Sequence, residues 1–114
     1  MTARHPIDLT HLRRFTCGDV ALEEELLDLF RQQAPLTLAQ LEEAQSDRQW
    51  IEAAHALKGS ARAVGAQEVA ELAADAEKTG ATQPSKRQAF VTAIQKAVQD
   101  VADYIAAQGA VRSA

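Results

Sequence analysis

An all-α protein, an antiparallel up-and-down four-helix bundle with a short additional N-terminal helix, is what this sequence predicts, and three observations carry that expectation. Apolar residues recur at intervals of three and four through most of the chain, the spacing that gathers them on one face of a helix. No segment alternates apolar and polar residues with period two, and the β-branched clusters that mark strands are missing. Turn-forming residues concentrate in four places, TCGD at 16–19, SD at 46–47, VGAQ at 64–67 and TGATQPS at 79–85, so the connections are short. At 114 residues the chain makes one domain, 1–114, around a single core. Because only 4% of residues are aromatic, that core must be aliphatic and rich in alanine.

The first stretch, about residues 8–15, has Asp8 as its N-cap and Leu9 and Leu12 three apart, and is expected to cover one end of the bundle as a lid. The second, about 20–45, starts at Asp19 and repeats Leu22, Leu26, Leu29, Phe30, Leu36, Leu41 and Ala44 as its core stripe. Pro35 interrupts it, and a kink rather than a break is expected because the stripe resumes in phase. The third runs from about 48 to 64, with Trp50, Ala53, Ala54, Leu57, Ala61 and Val64 on one side. The fourth, about 67–79, buries Val69, Leu72, Ala73 and Ala76 and stops at Gly80 as a C-terminal glycine. The last, about 85–107, opens with Pro84 and Ser85 and aligns Phe90, Ile94, Ala97, Val98, Val101, Tyr104 and Ile105. Gly109 and the polar tail, from about residue 108, are expected to fray.

Charge and motif content exclude several function classes. A net charge of −4 with no basic run disfavours nucleic acid and anionic membranes as partners. Cys17 is the only cysteine, which rules out an internal disulfide and a cysteine-based zinc site and fits a reducing, cytoplasmic setting. The N-terminus MTARHPIDL has no apolar signal region, and no apolar run reaches the length that spans a bilayer, so the chain is expected to be soluble. His5 and His11 are read as solvated surface residues, and no HExxH, GxxxxGK, GxGxxG or GxSxG pattern occurs. No metal site and no nucleotide site are expected.

The informative stretch is AAHALKGSARAVGA, residues 53–66. With its apolar residues turned to the core, His55, Gly59 and Arg62 fall on the opposite, outward face, and Lys58 sits at the flank within one turn of His55. Glycine inside a helix costs about 1 kcal/mol relative to alanine, so Gly59 on an exposed face suggests a partner that approaches the backbone, against the alternatives of a tight helix crossing or a harmless surface glycine. A neutral imidazole is a competent nucleophile at neutral pH, and the Lys58 ammonium offsets charge on an anion at the ring, an arrangement that suits a phosphoryl group. If the next helix returns antiparallel from a turn near 65–66, Glu77 comes level with His55 and can orient the ring by accepting its Nδ1 proton, leaving Nε2 to attack.

The string HALKGSARAVGA resembles the signature of histidine-containing phosphotransfer (HPt) domains, H-x-L-K-G-S or -A with a further glycine about ten residues after the histidine, and His55, Leu57, Lys58, Gly59, Ser60 and Gly65 all match it. The flanking sequence LLDLFRQQAPLTLAQLEEAQSDRQWIEAAHALKGSARAVGA follows the same family's helical pattern, and DLTHLRRFTCGD resembles its lead-in. The resemblance implies that His55 is the phosphoacceptor of a two-component phosphorelay. It would take a phosphoryl group from a receiver-domain aspartyl phosphate, or from a sensor or hybrid histidine kinase, and pass it to another response-regulator receiver. Mg²⁺ would be held by the receiver, and this chain would bind no cofactor or metal. Lys58 would stabilise phosphate charge, Gly59 and Arg62 would help dock the receiver with the exposed side of the second helix, Ser60 would bond backbone, and Gly65 would permit the turn. With no receiver, dimerisation or ATPase region in the sequence, the expectation is a monomeric, stand-alone intermediate that is not itself an enzyme. The alternative is a helical adaptor that binds a receiver or kinase without phosphotransfer, against which the presence of His55 weighs.

Overall fold

The computed structural model describes residues 6–80 and 82–113, with side chains as far as 108; the expectation for His5 lies outside them. Among the described residues every regular element is helical. These residues form five α-helices, α1 Leu9–Thr16, α2 Val20–Glu42, α3 Asp47–Val64, α4 Gln67–Asp75 and α5 Arg87–Ser113, with a π-helical turn at Ala76–Gly80 and a short 3₁₀ turn at Pro84–Lys86.

The caps follow local chemistry. Asp8, Asp19 and Ser46 hold extended backbone angles, and their side chains accept from the N–H groups of His11, Leu22 and Gln49, satisfying donors that a helix start leaves open. At its other end α3 stops on Gly65, whose φ of 79° is left-handed and whose N–H reaches back to the carbonyls of Ala61 and Arg62. α2 runs unbroken through Pro35, one helix as its stripe requires.

The four longer helices pack neighbour on neighbour, α2 against α3 and α5, and α4 against α3 and α5. α1 packs on α2 and α3. The core they enclose is largely Leu, Val, Ile and Ala, with Trp50, Leu57, Ile94 and Val101 at 2% exposure or less. Each such large apolar side chain contributes about 1.5–3 kcal/mol on leaving water. The six α3 residues expected to face inward all do. α1 is more than a lid: Leu12 is fully buried, and the preceding Ile7 is 1% exposed.

Three expectations are corrected. In α2 the buried face is Glu23, Leu27, Phe30, Ala34, Leu38 and Leu41, whereas Leu22, Leu29 and Leu36 stand 36%, 51% and 60% exposed. Leucines occur on both faces of this helix, so apolar identity did not single out one side, and the neighbouring helices decide which leucines are covered. Glu23 is buried with Arg13 Nε 3.5 Å from its carboxylate. Second, α4 ends at Asp75 and Gly80 does not take the left-handed conformation of a capping glycine. A Cβ there would lie 2.6 Å from two ring carbons of Trp50, so the indole excludes any larger residue. Third, α5 continues to Ser113 rather than stopping near 107, because alanines around Gly109 keep helix propensity high and one glycine does not by itself end a helix.

Candidate functional site

α3 offers its outward face along His55, Gly59 and Arg62, all exposed, while Lys58 and Ser60 are half-buried at its flanks. The α3–α4 connection folds the start of α3 back beside the end of α4, so Trp50 reaches Ala76 and His55 meets Glu77. Glu77 Oε1 lies 3.2 Å from His55 Nδ1, and Oε2 accepts from Lys58 Nζ at 2.7 Å. One carboxylate therefore bridges the imidazole and the ammonium, at the level that a turn near 65–66 sets.

Burial differs sharply across this trio. The His55 side chain is 69% exposed, against 17% for Lys58 and 22% for Glu77. The Lys58 hydrogen bond, more than that of His55, holds the Glu77 carboxyl below the ordinary carboxylate range, against a smaller opposing effect of burial. Glu77 is accordingly ionised at neutral pH, and an ionised carboxylate only accepts. A neutral His55 in this contact carries its proton on Nδ1, which leaves Nε2 with the lone pair.

The other positions resolve as follows. A Cβ built on Gly59 meets nothing within 4 Å, so no internal helix crossing accounts for the glycine. Ser60 Oγ donates to the carbonyls of Ala56 and Leu57, bonding its own helix. Arg62 presents its side chain to solvent while its carbonyl accepts from His11 Nε2 at 2.9 Å. His11, expected to be only solvated, thus ties α1 to the last turn of α3. Gly65 is held by two needs: its positive φ, and the approach of Asp8, whose carbonyl oxygen would sit 2.8 Å from a Cβ and whose N–H donates to the Gly65 carbonyl.

The family model described as Hpt domain matches residues 25–105 of the 114. The chain belongs to the HPt family. HPt domains are phosphotransfer modules of two-component phosphorelays, without an ATP site of their own, and they interact with receiver domains and histidine kinases. Comparison with curated proteins and with solved structures gives no match. No helix among the described residues is long and apolar enough to cross a membrane.

Sequence reasoning missed what supports Glu77 in this HPt domain. Trp50 counted only as core and Arg87 not at all, yet the Trp50 indole donates to the Ala76 carbonyl at 2.7 Å and Arg87 lies over that ring, 5.1 Å from its centroid. The residues stand 26 and 37 positions apart, and neither spacing carries a helical signal. A tryptophan in a chain with so few aromatics was the one available hint.

Proposed function

We propose that this HPt domain is a phosphorelay intermediate whose phosphoacceptor is His55. The observation that carries the reading is the pairing of an exposed imidazole with a fixed carboxylate on its Nδ1, which leaves Nε2 as the nucleophile. Nε2 attacks the phosphorus of a receiver's aspartyl phosphate in line; the N–P bond forms as the P–O bond to the carboxylate breaks, and the aspartate leaves as its anion. The ring becomes cationic in that step while keeping its Nδ1 proton, and Glu77 neutralises the charge. Lys58, hydrogen-bonded to Glu77 beside the ring, adds positive potential for the incoming phosphoryl oxygens. The reverse reaction with a second receiver passes the group on. Mg²⁺ belongs to the receiver in this scheme, and this chain contributes no metal ligand.

Docking follows the open ground around His55. Gly59 gives clearance beside the histidine, and Arg62 supplies a cation one turn further on. In an antiparallel up-and-down arrangement of α2–α5, counting back from the short connection between α2 and α3 puts Leu36 and Leu29 within a turn of the levels of His55 and Arg62. These exposed leucines are suited to the apolar part of a receiver surface, and Leu22 extends the line by a further seven residues. Everything the transfer needs from this side lies on one chain, so it works as a monomer, in the cytoplasm where its single thiol stays reduced.

A phosphorylated receiver is expected to label the protein with an acid-labile, base-stable phosphoramidate, and His55→Gln is expected to take no label. Labelling of that variant at the wild-type level overturns the reading.

A further inference from the structure

The carboxylate on which the site depends does not stand on an ordinary helix. Glu77 is the second residue of the π-helical turn Ala76–Gly80, and single π turns concentrate at functional sites because they present side chains a regular helix does not. Both ends of this turn are tied to one buried side chain. At the near end the Trp50 indole N–H donates to the Ala76 carbonyl at 2.7 Å; that carbonyl and the Glu77 N–H belong to one planar peptide unit, so fixing the oxygen fixes the position from which the Glu77 side chain springs. At the far end Gly80 lies against the indole so closely that no Cβ fits, and its carbonyl accepts from Arg87 Nε at 2.8 Å. Arg87 itself is set over the face of Trp50 and held by Asp47, 2.6 Å from its guanidinium.

We infer that Trp50 and Arg87 are positioning residues for phosphotransfer: together they clamp the π turn, and the clamped turn holds Glu77 where it keeps His55 in the Nδ1–H tautomer with Nε2 free. The inference rests on the reading of His55 as phosphoacceptor, but its effect is present in the resting protein, before any phosphate arrives. Trp50 is 1% exposed and lies beneath the turn, and Arg87 is on the first turn of α5, so neither needs to touch the receiver. Their contribution passes wholly through the placement of one carboxylate.

The test reads the tautomer directly. With the His55 ring labelled with ¹⁵N, and at a pH where the ring ¹⁵N shifts show it to be neutral, the wild type is expected to show the Nδ1–H pattern. Trp50→Phe, which keeps a ring under Arg87 but removes the N–H, and Arg87→Ala are each expected to shift the pattern toward Nε2–H. The shift has the direction that Glu77→Gln produces, and labelling by a phosphorylated receiver is expected to slow at least tenfold. A folded Trp50→Phe variant with the wild-type tautomer overturns the inference. If that variant does not fold, the half-exposed Arg87 decides it: Arg87→Ala with the wild-type tautomer overturns it. Absence of His55 phosphorylation in the wild type would instead defeat the phosphotransfer reading while leaving the tautomer result to stand or fall on its own.

Discussion

Gly59 in the middle of α3 and the two glycines at the ends of the α3–α4 hairpin, Gly65 and Gly80, are the same residue put to opposite uses. Around Gly65 and Gly80 the space a side chain needs is already taken, by the Asp8 backbone and by the Trp50 indole. Around Gly59 it is empty. The first two are required by the fold, and removing them strains contacts the protein makes with itself. The third is a local cost in helix stability with open space beside it, which fits the clearance for a partner proposed above. Distinguishing the two kinds matters because the sequence left the reason for Gly59 open and read Gly80 only as a helix stop.

The comparison predicts opposite signs for one substitution. Gly65→Ala is expected to destabilise most, by about 2–4 kcal/mol, since it adds the strain of a left-handed backbone to a collision with the Asp8 carbonyl. Gly80→Ala is expected to cost about 1–3 kcal/mol through displacement of the indole. Urea unfolding measures both, and a loss under half a kcal/mol in either would break the comparison at that position. Gly59→Ala is expected to raise stability by about 0.5–1 kcal/mol while slowing transfer from a receiver, and a destabilised variant would show that the space is less open than it looks.

The smallest effect sharpens the contrast between the buried and open sides of the site. Because Lys58, and secondarily His55, hold the Glu77 carboxyl below its ordinary value, the contribution of that carboxylate to stability is fully present above about pH 4.3 and is lost as the pH falls through the lowered folded-state value. The stability difference between wild type and Glu77→Gln is therefore expected to be no more than about 1 kcal/mol and to close as the pH falls below that point. A difference that instead widens below about pH 4.3, in denaturation curves taken across the acid range, would reverse the assigned sign.

Much of the site was legible because it lies on one helix. His55, Lys58, Gly59, Ser60 and Arg62 fall within eight residues, and helical periodicity alone separates them from Trp50, Ala54, Leu57 and Ala61. The level of Glu77 followed from a turn at a glycine and a rise per residue. What stayed hidden was of another kind. In α2 the pattern named Leu22, Leu29 and Leu36 as core, although they lie seven apart on the exposed side. A helix with leucine on both faces buries the face that finds neighbours, and it even takes Glu23 inside with them.

The sequence by itself determined that the chain is helical, where most helices begin, which face of α3 is wet and that His55 stands there with Lys58, because propensity, capping and periodicity act over a turn or two of chain. Only the tertiary structure decided which leucines of α2 are covered, that Gly80 makes room for Trp50 rather than ending a helix, and that Trp50 and Arg87 hold the turn bearing Glu77. Most of those contacts join residues 26 to 40 positions apart, and packing between separate helices leaves no periodic trace in the sequence that forms it.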